Sequence, residues 1–135
     1  MKIPFSKVDC SGNELKYIQE VLESGWLTTA SKSKSLEDKF AIMLGVNHAC
    51  AVNSCTSALH LALEAVGVKR GDKVLVPSMT FTATAEVVCY LGADPIFLDV
   101  EYTTSQFSKE IVERGLKLYP DAKVVIVVDF AGQPA

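Results

Sequence analysis

Apolar residues in the first third of the chain recur at helical spacing. Four of them lie on one face of a short helix that begins near Asn13: Leu15, Ile18, Val21 and Leu22. Gly25 is well placed to end this helix. A second helix is predicted from near Ser35 to Gly45, with Leu36 and Phe40 among its inward-facing residues. The polar segment between the two helices, GWLTTASKS, carries the only Trp of the chain and is predicted to be a loop.

From His48 onward, short apolar runs alternate with helical patterns. The pattern predicts strands in HACAV, VKRGDKVLVP, DPIFLDV and AKVVIVVDF, with helices over residues 57–66 and in TATAEVVCYLG and SKEIVERGLKLYP between them. Strands that are apolar nearly throughout are typical of parallel βαβ units that are covered on both faces. The sequence therefore predicts an α/β fold, with a parallel or mostly parallel sheet and helices on both faces.

The same pattern predicts how the chain is organised. Residues 1–47 form the N-terminal helices and loop, and residues 48–135 form the βαβ units. The last predicted strand runs into DFAGQPA without a helix to cover it, which would leave a sheet edge and an apolar face unprotected. We therefore expect the chain to be the first portion of a larger protein.

Composition and charge narrow the function classes. The 135 residues carry a net charge of −3 and no block of Lys and Arg, which argues against nucleic acid as a partner. Every apolar run is far shorter than the ~20 residues that cross a membrane, so no membrane association is expected. The N-terminus has no apolar signal region, which predicts a cytoplasmic protein. The four cysteines form no CxxC pair and are expected to be buried free thiols, and no metal site is expected.

Four small residues, Ser54-Cys55-Thr56-Ser57, stand where a strand is predicted to meet a helix. A helix N-terminus flanked by small residues and hydroxyls can bind a phosphate group. The same residues also suit an ordinary helix N-cap. A third interpretation makes Cys55 a nucleophile, although neither His48 nor His60 is well placed as its base. No GxGxxG or GxxxxGK[ST] loop is present, which argues against dinucleotide cofactors and nucleoside triphosphates.

Several stretches together resemble the DegT/DnrJ/EryC1/StrS aminotransferases. They are GWLTTASKSKSLEDKFA, AVNSCTSALHLALEAVGVKRGDKVLVPSMTFTATAEVV, LGADPIFLDVE and VVDFAGQPA, in this order. The family consists of pyridoxal-phosphate enzymes of fold type I that aminate nucleotide-linked keto sugars. The resemblance implies that the chain is the N-terminal part of the large domain of such an enzyme.

The resemblance also assigns candidate cofactor-binding residues. The usual Ser-Gly-Thr of the family is matched by Ser54-Cys55-Thr56, so Thr56 and the amides of residues 55–57 would hold the phosphate of pyridoxal 5'-phosphate. Phe81 matches the aromatic residue that stacks on the cofactor ring. The segment GWLTTASK matches a loop near a subunit interface, and with Trp26 it predicts a homodimer or other self-association. A nucleotide-sugar substrate and an amino donor would be the other partners.

No catalytic residue is assigned within this chain. In the family, the Schiff-base lysine and the acid that pairs with the pyridine nitrogen come later than the segments matched here. No lysine of this chain has a setting that matches the Schiff-base lysine, so the chain is expected to be inactive by itself. Asp99 and Asp129 stand at strand ends and are interpreted as turn-capping residues. The alternative function is a non-catalytic α/β module that binds a phosphate-bearing ligand or a protein.

Overall fold

A computed structural model describes Pro4 and residues 6–135 of the chain. The described residues divide into two compact units, which lie within Met1–Ala51 and Val52–Ala135. The first unit is helical, and the second contains the sheet. No helix among the described residues is long and apolar enough to cross a membrane.

The first unit contains helices α1 (Glu14–Ser24) and α2 (Ser31–Leu44). α1 ends as predicted, because Gly25 adopts the left-handed conformation (φ 68°), which favours glycine, and its N–H bonds Leu22 O. α2 starts a turn earlier than predicted. Its first turn is polar and so carries no apolar periodicity, but an ion pair between Lys34 and Asp38 one turn apart supports it. The apolar residues expected to face inward, such as Phe40, are exposed.

The second unit alternates helices and strands. Its elements are α3 (Cys55–Ala65), β1 (Lys73–Pro77), α4 (Ala83–Tyr90), β2 (Asp94–Leu98), α5 (Lys109–Leu118), β3 (Ala122–Val125) and a 3-10 turn (Phe130–Gly132). The three strands form a parallel sheet in the order β2-β1-β3, with Leu75 of β1 beside Ile96 and Val125. The predicted α/β class with a parallel sheet is confirmed.

Helices pack on both faces of the central strand. Val74 and Val76 point to one face, where they contact a core that includes Val87 and Val88 of α4. Leu75 points to the other face, where α5 approaches so closely that a Cβ on Gly115 would lie 3.4 Å from Leu75 Cδ1. The chain moves from β1 to β2 in one direction and then back past β1 to β3. Right-handed crossovers therefore place α4 and α5 on opposite faces.

Three expectations about the strands and the cysteines are wrong in detail. The segment HACAV, residues 48–52, forms no strand, because it pairs with none of the three strands that the structure describes. β3 is shorter than AKVVIVVDF, since its pairing with β1 ends where Ile126 N donates to Leu75 O. The four cysteines are free, as expected, but exposed rather than buried.

We predict that Leu75→Ala lowers the free energy of unfolding of the chain by about 2–5 kcal/mol, because a fully buried leucine leaves a cavity when truncated. Leu118→Ala is the matched control, since Leu118 of α5 is 68% exposed and should change stability by well under 1 kcal/mol. Urea unfolding followed by circular dichroism measures both. Equal losses in the two variants would mean that β1 is not the centre of the core.

Candidate functional site

The first turn of α3 is built from the four small residues. Ser54 has an extended backbone (φ −159°, ψ 157°) and is the N-cap, with its Oγ accepting a hydrogen bond from Ser57 N at 3.1 Å. Ser57 Oγ in turn donates to Asn53 Oδ1 at 2.8 Å and lies 3.0 Å from Ser54 Oγ. The hydroxyls of Ser54 and Ser57 therefore cap the helix, which supports the N-cap interpretation for these two residues.

The N–H groups of Cys55 and Thr56 take no part in this cap. Among the hydrogen bonds of the described residues, none involves the amide of either residue or the Thr56 hydroxyl. Two of the four N–H groups that every helix leaves free at its start are thus available to a ligand, at the positive end of the helix dipole. This turn combines a cap made by Ser54 and Ser57 with open donors on Cys55 and Thr56.

A cavity of about 410 Å³ lies next to this turn. Cys55, Thr56 and Leu59 of α3 form one wall, Thr80, Phe81 and the start of α4 form another, and residues 126–128 form a third. The second and third walls come from the chain just after β1 and β3. The cavity therefore lies at the carboxyl ends of parallel strands, where α/β proteins bind ligands.

Phe81 lies at this cavity with its side chain 78% exposed. The turn that carries it is held by a hydrogen bond between Thr80 Oγ1 and Thr84 Oγ1 (2.8 Å) and by Thr84 N, which donates to Phe81 O (3.0 Å). An exposed aromatic ring on a fixed turn offers a flat surface to a planar ligand. Phe81 is therefore not an ordinary core residue of a strand-to-helix turn.

The ionised groups with shifted pKa values in this unit lie elsewhere. Hydrogen bonds from Lys123 lower the pKa of Asp72, and Asp121 raises the pKa of Lys73, both at the amino ends of β1 and β3. The residues that line the cavity carry no charge. The N-terminus of α3, with its open N–H groups, therefore contributes positive potential at the cavity.

The other candidate chemistries find little support. Asp99 Oδ1 accepts from Val100 N (2.9 Å) and Ser78 Oγ (3.3 Å), and Asp129 Oδ1 accepts from Ala135 N (3.1 Å), as expected of turn-capping residues. No described side chain supplies Cys55 with a base, and His60 lies 3.9 Å from Glu64 Oε1 on its own helix. The described residues also contain no cluster of three or more His, Cys, Asp or Glu placed to hold a metal ion.

The run of small residues pointed to Cys55 and Thr56, and the family resemblance pointed to Phe81. All three line one cavity, whereas the candidates Ser54 and Ser57 do not. Sequence reasoning did not identify Thr80, Thr84 or residues 127 and 128, which also line it. The positions after the carboxyl ends of β1 and β3 were the available signal, since the ends of parallel strands meet at one edge of a sheet.

The solved structures that are similar to this chain include a sugar aminotransferase in its pyridoxal-phosphate (PLP) and pyridoxamine-phosphate (PMP) forms. Spr1654 from Streptococcus pneumoniae, described as a sugar aminotransferase, is 34% identical over 100% of this chain and superposes with a TM-score of 0.90 in both its PMP and PLP forms. DesV from S. venezuelae, in complex with a ketimine intermediate, is 32% identical over 89% of this chain (TM-score 0.82). The synthase of 3-amino-5-hydroxybenzoic acid is 32% identical over 98% (TM-score 0.84).

The chain belongs to the DegT/DnrJ/EryC1/StrS aminotransferase family, whose family model matches residues 9–135. The predicted resemblance is confirmed, and the two forms of Spr1654 support pyridoxal phosphate as the cofactor of the family. The chain spans about a third of the length of these structures: 34% of Spr1654, 32% of DesV and 34% of the synthase.

We predict different effects on folding for two substitutions in the first turn of α3. Ser54→Ala removes the N-cap acceptor and should lower the free energy of unfolding by about 1 kcal/mol. Thr56→Val removes a hydroxyl without a partner among the described residues and should change stability by less than about 0.5 kcal/mol. Thermal and urea unfolding of the ligand-free chain measure both. A loss in Thr56→Val as large as in Ser54→Ala would assign Thr56 to the cap.

Proposed function

We propose that this chain is the N-terminal part of a pyridoxal-phosphate-dependent aminotransferase that acts on nucleotide-linked keto sugars, and that the cavity beside α3 binds its cofactor. The observation that carries the proposal is that open backbone donors and an exposed aromatic ring border one cavity of about 410 Å³. A phosphorylated, planar cofactor needs both features. Neither a bare N-cap nor a core phenylalanine would require them together.

The phosphate would bind at the first turn of α3. The amides of Cys55 and Thr56 would donate to its oxygens, Thr56 Oγ1 would add a hydrogen bond, and the helix dipole would favour its negative charge. Ser54 and Ser57 would act indirectly, because their hydrogen bonds hold the turn in place. Cys55 replaces the usual Gly of the family, and its small side chain, which lines the cavity, keeps the backbone within reach of a phosphate.

The pyridine ring of the cofactor would stack against Phe81. The exposed Phe81 ring can cover the face of a pyridine ring and leave the edge of that pyridine ring to polar partners. Ile126 and Val127 offer apolar contacts on another wall and exclude water there. Bound pyridoxal phosphate supplies an electron sink for transfer of an amino group. What this chain contributes is the binding and orientation of that group.

The lysine and the acid that complete the chemistry are not assigned to this chain, and we propose that it is inactive alone. No lysine of the second unit lines the cavity. Lys73 pairs with Asp121 (2.7 Å) and Lys123 with Asp72 (3.0 Å), both at the amino ends of the strands. A lysine that forms a covalent bond with the cofactor needs to be near it and to lose its proton readily.

The finer assignments are part of the same proposal. The similarity to Spr1654 supports a sugar substrate, and we propose a nucleotide-linked one, a separate amino donor, a role in cell-surface polysaccharide synthesis and a place in the cytoplasm. We also propose a homodimer. Trp26 is 60% exposed in its loop, and its indole N–H donates to Thr29 O (3.3 Å), so its apolar face is open to a partner chain.

We predict that Thr56→Val and Phe81→Leu weaken binding of pyridoxamine 5'-phosphate, which lacks the aldehyde and so binds without reacting with lysines. Loss of a hydrogen bond to a charged group should raise the Kd of Thr56→Val by about 10- to 150-fold. Phe81→Leu should raise the Kd while leaving the melting temperature of the ligand-free chain nearly unchanged, because the ring is exposed. Fluorescence titration and thermal melting measure the two effects.

Matched controls make this result specific. Thr56→Ser keeps the hydroxyl, and Phe97→Leu changes a phenylalanine that is 57% exposed on β2 and does not line the cavity, so both should bind normally. Pyridoxamine without phosphate should bind Thr56→Val and the original chain equally. If Thr56→Val raises the Kd of pyridoxamine 5'-phosphate and Phe81→Leu does not, the result would favour the non-catalytic phosphate-binding module. An unchanged Kd in both variants would reject the cofactor site.

We predict that borohydride reduction of the 135-residue chain with pyridoxal phosphate labels no single lysine at one-to-one stoichiometry. The lysines of the second unit are ion-paired or lie away from the cavity, so any labelling should be scattered and incomplete. Peptide mass spectrometry after reduction locates and counts the labels. Stoichiometric labelling at one position would show that this chain carries the lysine after all.

A further inference from the structure

Gln106 is a buried polar residue with an unusual pairing. The residue is only 4% exposed, so it is buried within the second unit. Its Nε2 donates to Phe130 O at 2.8 Å, and its Oε1 accepts from Phe130 N at 3.2 Å. One side-chain amide therefore binds both backbone groups of a single residue that is 24 positions away in sequence, as a neighbouring strand would.

The loop that carries Gln106 is itself tied together. Glu101 N donates to Gln106 O (2.9 Å), and Ser105 N donates to Glu101 O (2.8 Å). The Glu101 carboxylate accepts from Ser108 Oγ (2.6 Å), the N-cap of α5. Ser105 adopts a left-handed backbone (φ 58°), which costs a non-glycine residue about 1 kcal/mol or more and persists where surrounding contacts enforce it. Gln106 is thus presented from a firmly held loop.

The pairing anchors one end of the segment that lines the cavity. At its start, Ile126 N donates to Leu75 O (2.9 Å) and so joins this segment to the central strand. At its end, Phe130 is hydrogen-bonded to the side chain of Gln106. Within its own turn, Phe130 O also accepts from Gln133 N, and Phe130 N donates to Val128 O. Val127 and Val128, which line the cavity, lie between these two anchors.

We propose that Gln106 is a positioning residue that holds residues 126–130 in place and, through them, the cavity wall formed by Val127 and Val128. It does not line the cavity and acts only through the backbone of Phe130. A neutral amide suits this role because it can donate and accept at once without burying a charge. The functional part of the inference rests on the proposed function, since it takes this cavity to be the cofactor site.

The test compares Gln106→Leu and Gln106→Glu with the original 135-residue chain. The control is Gln19→Leu, which changes an exposed glutamine of the first unit. Amide hydrogen exchange by NMR reports how firmly the segment is held, and titration with pyridoxamine 5'-phosphate reports the cavity. In Gln106→Leu, exchange at the hydrogen-bonded amides of Ile126 and Phe130 should be about tenfold faster, with little change in β1, and the Kd should rise severalfold.

Gln106→Glu provides a rescue that a purely packing role would not show. When ionised, the introduced carboxylate accepts from Phe130 N but repels Phe130 O, so at pH 7 this variant should behave like Gln106→Leu. When protonated, it donates and accepts as the amide does. Its pKa should lie above the ordinary ~4.3, because burial disfavours the charged form. We divide the exchange rates and Kd values of this variant by those of the original chain at the same pH. These ratios should approach one on acidification. Glu101 and Asp129 are the nearby carboxylates, they are present in both chains, and each ratio is therefore taken at a single pH.

The outcomes separate the two proposals. Unchanged exchange at the amides of Ile126 and Phe130, or equal acceleration throughout β1, would overturn the positioning role. Local acceleration without any change in the Kd of a chain that binds the probe would overturn the link to the cavity. Failure of the original chain to bind pyridoxamine 5'-phosphate would instead overturn the proposed function, while the exchange pattern alone would still decide whether Gln106 holds the segment.

Discussion

The burial of β1 between two layers of helix is the constraint on which the rest of the second unit depends. Val74, Leu75 and Val76 are inaccessible to solvent, and both edges of their strand are paired. Each of these side chains removes apolar surface from water, and together they decide where α4 and α5 pack. The turns that follow the strands inherit their positions from this arrangement. The position of the cavity therefore depends on where β1 ends.

The first turn of α3 shows how four small residues can serve two purposes. Ser54 and Ser57 cap the helix start with their hydroxyls, whereas Cys55 and Thr56, which line the cavity, have N–H groups with no hydrogen-bond partner among the described residues. A single capping residue would stabilise the helix equally well, but it would not hold the turn on both sides of the open amides. This division explains why a run of small residues stands at a junction that needs only one cap.

The walls of the cavity differ in how they are held. The α3 wall is local in sequence, since its hydrogen bonds join residues within four positions. The wall formed by residues 126–128 depends on partners far away in the chain, Leu75 at one end and Gln106 at the other. Substitutions distant from the cavity can therefore alter its shape, and they can do so without touching a bound group.

Much of this arrangement could be predicted from sequence because its signals are local. Apolar runs identified β1, β2 and β3, glycine identified the end of α1, and the small residues identified the cap at Ser54. The segment at residues 48–52 has an equally apolar pattern but forms no strand, because a strand exists only when a neighbour supplies its hydrogen bonds. The pairing of Gln106 with Phe130 could not be predicted either, because the sequence of a polar loop does not show which backbone groups its side chains will bind. The amino-acid sequence by itself determined most of the element types, the fold class and the family. Tertiary structure alone decided which apolar segments become strands, which strands pair and which residues share the cavity, because those depend on contacts between segments distant in the chain.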